Sequence, residues 1–283
     1  MAGPERRAFE TEGAGGVRLR GWTQGEGPAI VLAHGVTAHR DLVLHGSSHL
    51  VRAGYKLVSY DARGHGESDA AADRAYDYQT LADDLEAVVA AEGGERPLLV
   101  GHSMGAHTVL TAALRDPDRY AGLVLIGPVS RGEVVSERSV AYWDALAAGL
   151  DEGGVEGWLG AYEQAGLDPE WRETLLRIAR DRISRHQAPE ALAEALRALP
   201  RSRPYEGLEP LTALQLPALV VASHDRADPG HPYAVAAEIS AALPNAELIS
   251  EPEGESPLAW QGGKLSREIA EFAASPAVAG RLA

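Results

Sequence analysis

The sequence predicts an α/β protein: a mostly parallel, eight-stranded sheet flanked by helices, with a purely helical segment inserted in the second half of the chain. Three observations predict it. Short, near-continuous apolar runs alternate with helical patterns, as expected when parallel strands are buried on both faces and wrapped by helices. One of those runs leads directly into a Gly-x-Ser-x-Gly turn followed by a helix. Residues 131–208 then break the alternation with helical patterns alone.

Taken in order, residues 17–22 predict an antiparallel edge strand, and 29–33 (AIVLA) and 56–60 (KLVSY) predict buried strands. Leu81, Leu85, Val88 and Val89 recur at i, i+4, i+7 and i+8, one apolar helix face with Asp83, Asp84 and Glu86 outside it. Residues 97–100 predict a strand, 106–115 a helix and 123–126 another strand. Helical patterns follow at 136–150, 155–165, 169–185 and 189–199. Asp168-Pro169-Glu170 supplies a start signal for the third of these, with a capping acid, proline in the first turn and an early glutamate. Tyr142, Trp143, Trp158, Tyr162 and Trp171 lie in this block, and they either fill its own core or also line a pocket. Strands at 218–221 and 246–249, followed by helices at 234–243 and 264–274, complete the pattern. The expected organisation is a core of residues 9–130 and 209–275 with a helical lid over 131–208.

Composition narrows the function. A chain of 283 residues with 45% hydrophobic residues suits one ordinary domain with an insertion. A net charge of −15 repels phosphate backbones and anionic lipid, so the expected partner is a small-molecule substrate, not nucleic acid or membrane. With no cysteine, neither a disulfide framework nor a thiolate metal site is possible. The first residues lack an apolar signal region, and no run approaches the roughly 18 apolar residues of a membrane span, so a cytoplasmic location is expected. No cofactor is implied. His224, Asp225, Asp228 and His231 have a spacing that superficially suits a metal, but nothing elsewhere completes such a site, and none is expected.

The chemistry-bearing motif is Gly101-His102-Ser103-Met104-Gly105, set between a strand and a helix. The glycines allow a sharp turn, Ser103 is exposed at its apex, and the Met104 N–H faces the same space and can donate to a developing oxyanion. His34-Gly35-Val36 follows the strand at 29–33, and residues 61–68 (DARGHGES) follow the next. Together these motifs resemble the α/β-hydrolase superfamily, in its lid-bearing branch of esterases, lactonases, perhydrolases and C–C bond hydrolases, over about residues 17–272. The resemblance implies that Ser103 is the nucleophile and that the N–H groups of Met104 and Val36 form the oxyanion hole. It implies an acid after the strand at 218–221, where both Asp225 and Asp228 fit. His34, His65 and His102 resemble structural histidines of the family and are expected to hydrogen-bond in the core. His39, His45, His49 and His107 are expected to be packed or solvated, with a place in the pocket open to any of them.

The sequence departs from the family at its last histidine. The loop after the final strand, residues 250–257 (SEPEGESP), carries Glu255 after Gly254, and no histidine occurs from Pro232 to Ala283. A carboxylate is about two pKa units less basic than imidazole, roughly 3 kcal/mol less drive to take a serine proton. Three residues could substitute: His231 on the acid loop, Glu255 with its pKa raised by burial, or His186 from the helical block. His34, Gly35, His102, Glu255, Trp143 and Trp158 are the remaining pocket candidates. The expected function is a serine-dependent hydrolase of a small ester, thioester or lactone with a non-standard base. The alternative is a triad-deficient protein of the same fold, either a lyase or cyclase on a natural-product-like substrate or a small-molecule binder.

Overall fold

The computed structural model describes residues 4–283, except 168, 226, 227, 229, 253 and 254. Its strands are β1 (Arg7–Glu12), β2 (Arg18–Gln24), β3 (Ala29–Ala33), β4 (Lys56–Tyr60), β5 (Leu98–His102), β6 (Gly122–Ile126), β7 (Ala218–Val221) and β8 (Ala246–Ile249). They form one sheet in the order β1-β2-β4-β3-β5-β6-β7-β8. Pairing is antiparallel for β1–β2 and β2–β4 and parallel from β4 onward. The helices are α1 (His49–Arg52), α2 (Tyr78–Val88), α3 (Met104–Arg115), α4 (Glu137–Gln164), α5 (Arg172–Ile183), α6 (Pro189–Ala198), α7 (Tyr233–Ala242), α8 (Gly262–Ala274) and α9 (Pro276–Ala279).

Alternation along each strand divides the core between the two faces of the sheet. Val31 and Ala33 of β3 pack with α2, α3 and α7, whereas Ile30 and Leu32 pack with α1, α8 and Val278 of α9. Every residue of β3 and β6 is buried. That burial explains why these strands are continuous apolar runs.

Two expectations about the edges need correction. The strand at 17–22 is not the edge: β2 lies between β4 and an additional strand, β1. β1 escaped detection because its sequence, RAFETE, buries only Phe9, as suits an outermost strand with one wetted face. Asp84, assigned to the outer face of α2, is fully buried. Its carboxylate takes two bonds of 2.7 Å from Nε and Nη2 of Arg63 and one of 2.9 Å from the Ala14 amide. Helical periodicity could not anticipate this, because the partner comes from the distant turn after β4.

Between β6 and β7 lie α4, α5 and α6, with an apolar cluster of their own built on Leu146, Leu150, Trp158, Ile183, Leu192 and Leu196. The two helical patterns at 136–150 and 155–165 form one element, α4, broken where Gly154 takes φ 58°. The third pattern begins at Arg172 of α5, later than its start signal, and Asp168 of that signal lies outside the described residues. This segment is tied to the sheet domain at Gly66: the Gly66 amide donates to Nδ1 of His186 (3.0 Å), and the Gln187 amide donates to the Gly66 carbonyl (2.9 Å). Among the described residues no helix is long and apolar enough to cross a membrane.

Candidate active site

β5 carries the chain through the middle of the sheet and delivers it to the turn at Ser103. There Ser103 adopts φ 54° and ψ −112°, a conformation that costs an L-residue on the order of 1–3 kcal/mol and persists only where its surroundings enforce it. The surroundings do. A Cβ at Gly105 would collide with the carbonyl oxygen of Ala33, and one at Gly101 with that of Gly105, so only glycine permits so close an approach of β3, β5 and α3. The Ser103 amide donates to the Ile126 carbonyl at 2.9 Å, and the Ser103 carbonyl accepts from the Ala106 amide at 3.0 Å. Although Ser103 precedes the first turn of α3, its hydroxyl does not cap the helix and makes no hydrogen bond among the described residues. It is left available at the positive end of the helix dipole.

The loop after β3 lies alongside: a Cβ at Gly35 would sit 3.3 Å from Ser103 Cβ. Among the described residues neither the Val36 nor the Met104 N–H donates to a protein acceptor. His65 fixes this loop, with its ring nitrogens 2.8 Å from the carbonyls of Val36 and Arg63. Nε2 of His34 accepts from the Ala62 amide at 3.0 Å, and its Nδ1 donates to the Gly35 carbonyl at 2.8 Å. Burial, above all, holds both rings below the ordinary imidazole pKa. His34 and His65 therefore hydrogen-bond in the core as expected.

His102 does not. Among the described residues its ring makes no hydrogen bond. It stacks on His231 with 5.2 Å between centroids and meets the edge of Trp260 at 5.5 Å. Burial and the neighbouring charge of His231 push its pKa down to about 3, so it is neutral near neutral pH.

On the loop after β7, His231 Nδ1 donates to Asp228 Oδ2 at 2.7 Å. The His231 ring also rests on the backbone after β6, where a Cβ at Gly127 would lie 3.1 Å from its Cδ2. Ile126, the residue before Gly127, is the one that holds the Ser103 amide. Contact with His102 and Gly127 thus puts the imidazole beside the turn after β5, one strand over from Ser103, without a hydrogen bond to its hydroxyl. Burial raises the pKa of Asp228, but the bond and charge of His231, with His102 and Arg182, outweigh it and keep the carboxyl below its ordinary value. Asp228, one of the two candidate acids, thus holds a histidine. Asp225 is joined through its amide to Ser223 Oγ at 3.0 Å.

Several other candidates stand elsewhere. Glu255 is half-exposed and paired with Lys264 at 3.0 Å; Gly254 before it lies outside the described residues. His186 is engaged with Gly66. His107 is fully buried, its Nε2 accepting from the amides of Val129 (2.9 Å) and Ser130 (3.0 Å). Trp158 is 1% exposed in the apolar cluster of α4–α6 and stacks on Tyr162, so it is core, not pocket wall. Trp143 is partly buried against the same cluster and packs edge-on against Tyr142.

Three residues escaped sequence reasoning. Glu251 stands two residues after β8 and is buried. Its carboxylate accepts from Ser223 Oγ (3.0 Å) and from the amides of His224 (2.7 Å) and Leu258 (3.1 Å), lacing together the loops after β7 and β8. Trp260 packs against both His45 and His102. Arg182 of α5 acts electrostatically on Asp228 and His102 from the helical segment. None belongs to a motif, and only the fold brings them to the site. Among the described residues no group of three or more histidine, aspartate or glutamate side chains is placed to hold a metal ion.

Comparison with known proteins agrees with this architecture. Residues 28–261 match the family described as the alpha/beta hydrolase fold. A monoacylglycerol lipase of Mycolicibacterium smegmatis is 30% identical, over 78% of this chain and 79% of its own. Among solved structures, a thermophilic esterase from Thermogutta terrifontis superimposes with a TM-score of 0.75 at 22% identity, covering 95% of this chain and 97% of the esterase. The bottromycin epimerase BotH superimposes with a TM-score of 0.67 at 22% identity, covering 94% and 99% respectively. The protein belongs to the α/β-hydrolase fold family, and its relatives in sequence include named hydrolases.

Proposed function

We propose that the protein is a serine hydrolase of small esters, thioesters or lactones, in which an Asp228–His231 pair on the loop after β7 does the work that the family gives to a histidine after β8. The observation that carries this reading is the 2.7 Å bond between His231 Nδ1 and Asp228 Oδ2, with the imidazole lying against Gly127 and His102 beside Ser103. In this scheme His231 Nε2 takes the proton of Ser103 as Oγ attacks the substrate carbonyl. The N–H groups of Met104 and Val36 hold the oxyanion, and the proton passes to the leaving alcohol or thiol as the acyl-enzyme forms. Water then attacks the acyl group with His231 again as base. The missing Ser103–His231 bond is compatible with this chemistry, because catalytic hydrogen bonds in unliganded enzymes are often long and tighten with substrate bound. The lipase relative and the match to the hydrolase family support the same class. Helices α4–α6 serve as a lid over the elbow, since Val36 packs against their apolar cluster.

The same unmade bond favours a second reading, in which the pocket binds or transforms a substrate without an acyl-enzyme. Incubation with short p-nitrophenyl esters and a fluorophosphonate probe separates the two. The parent should turn over ester and label, Ser103→Ala should do neither, and His231→Ala should lose about 10⁴-fold in kcat, as loss of a triad base does. A parent that neither labels nor turns over rules out the acyl-enzyme.

A further inference from the structure

The loop after β8 carries no histidine, yet it is tied to both of the loops that carry the candidate site. Its first anchor is Glu251, whose buried carboxylate accepts from Ser223 Oγ (3.0 Å) and the His224 amide (2.7 Å) through one oxygen and from the Leu258 amide (3.1 Å) through the other. Ser223 Oγ in turn accepts from the Asp225 amide at 3.0 Å, so one side chain holds residues 223–225 at the head of the acid loop. Leu258 opens the single helical turn Leu258–Trp260, and that turn bears the second anchor. Trp260 meets His102 edge-on at 5.5 Å between centroids, and His102 stacks on His231 at 5.2 Å. The path therefore closes: from Glu251 to Leu258, along the turn to Trp260, ring by ring to His231, and through Asp228 to the loop whose first residues Glu251 holds.

Trp260 is itself braced. It packs against His45 at 5.6 Å, and His45 takes φ 47°, a left-handed conformation uncommon for a residue other than glycine. Two residues on, a Cβ at Gly262 would collide with the Leu44 carbonyl oxygen, so only glycine lets the chain pass so close to this turn. The indole held in this way is 38% exposed and adds little to the core. What it contacts is imidazole. The bond from His231 Nδ1 to Asp228 fixes one ring atom and leaves the ring free to turn about that bond. Stacking on His102 fixes the plane, and with it the direction of Nε2. His102 can supply that plane only if it is held, and its own ring makes no hydrogen bond among the described residues.

We propose that Trp260 and Glu251 are positioning residues: Trp260, through His102, sets the plane of the His231 imidazole, and Glu251 fastens the turn bearing Trp260 to the loop bearing the Asp228–His231 pair. The kinetic part of the test rests on the hydrolase reading, and the spectroscopic part does not. With p-nitrophenyl acetate, Trp260→Ala should lose about 10- to 100-fold in kcat with KM little changed, the effect of misplacing a catalytic group by about an ångström. Trp260→Phe, which keeps a ring edge for His102, should recover most of that loss. Glu251→Gln leaves an amide N–H₂ facing either the Leu258 or the His224 amide, donor against donor, and should lose about tenfold. In a His231→Ala background Trp260→Ala should cost less than about twofold, whereas a merely structural role would cost the same in both backgrounds. Mobility of the His231 ring is read by ¹³C relaxation in histidine-labelled protein, with His231→Gln assigning the signal. The order parameter should be about 0.85 in the parent and in Trp260→Phe and fall below about 0.6 in Trp260→Ala and Glu251→Gln, with that of the core ring His34 unchanged. If Glu251→Gln does not fold, the two Trp260 variants decide alone. A fall in order in Trp260→Ala with a parent that hydrolyses nothing upholds the positioning, and the hydrolase reading alone fails. An unchanged His231 order parameter in Trp260→Ala overturns the proposal, as does an active parent whose kcat Trp260→Ala leaves intact.

Discussion

Replacing Asp228 by asparagine tests the proposed machinery at its least conventional point. The 2.7 Å bond from His231 Nδ1 fixes the imidazole with its proton on Nδ1 and the lone pair of Nε2 free to accept from Ser103. Asparagine is isosteric, so packing against Gly127 and His102 should survive. Its amide can instead donate to Nδ1, which moves the ring proton to Nε2 and removes the base. In a triad that error costs about 10⁴-fold in turnover. At about 1.36 kcal/mol per decade this corresponds to roughly 5.5 kcal/mol of transition-state stabilisation. The assay is steady-state hydrolysis of p-nitrophenyl acetate at pH 7.5 by the parent, Asp228→Asn, Asp225→Asn and the double variant Asp228→Asn/His231→Ala. Asp228→Asn should lose about four decades in kcat, Asp225→Asn at least two decades fewer, and the double variant little more than Asp228→Asn, because parts of one unit are not additive. If Asp225→Asn carries the large loss and Asp228→Asn the small one, the Asp228–His231 pair is not the base.

Two further outcomes concern the scaffold. Asp84→Ala should destabilise the protein by about 3–5 kcal/mol in urea unfolding, because it strands the Arg63 guanidinium in a core where both side chains are 1% exposed; a loss under 1 kcal/mol would mean that water or another group relieves the charge. Acid should weaken the fold earlier than its carboxylates alone require. Burial holds His107 and His186 at a pKa of about 3, against about 6.5 in an unfolded chain. Between those values the unfolded state binds more protons, so their contribution is complete above about pH 6.5 and falls as pH drops, by up to about 1.4 kcal/mol per pH unit for each histidine. His107→Gln should flatten the slope of unfolding free energy against pH between 6.5 and 5 by about one proton, and an unchanged slope would show that His107 does not contribute.

Much of the protein is legible in its residues taken locally. The strands at 29–33, 56–60 and 218–221 coincide with β3, β4 and β7, because burial on both faces leaves a continuous apolar run that reads without knowledge of neighbours; the strand at 246–249 coincides with β8, which lies at the sheet edge and is only partly buried. The elbow at Ser103 reads equally well, since the requirement for glycine at 101 and 105 is a matter of backbone approach within a few residues. β1 was not legible, because an edge strand wetted on one face carries little apolar signal. Asp84 was misread because helical periodicity sees one helix and not the guanidinium of Arg63 that enters from another turn.

For the site the division is sharper. From the sequence come the position of Ser103, its neighbours Met104 and Val36, the shortlist of Asp225 and Asp228, and the absence of any histidine after Pro232. Tertiary structure alone pairs His231 with Asp228, sends Glu255 out to Lys264, buries Trp158 among its own helices and brings Arg182 to bear on the site from more than forty residues away in the chain. Motifs record chemistry that a few consecutive residues must perform together. Which distant side chains share a field or a hydrogen bond depends on how strands and helices pack, and that information is spread over the whole chain.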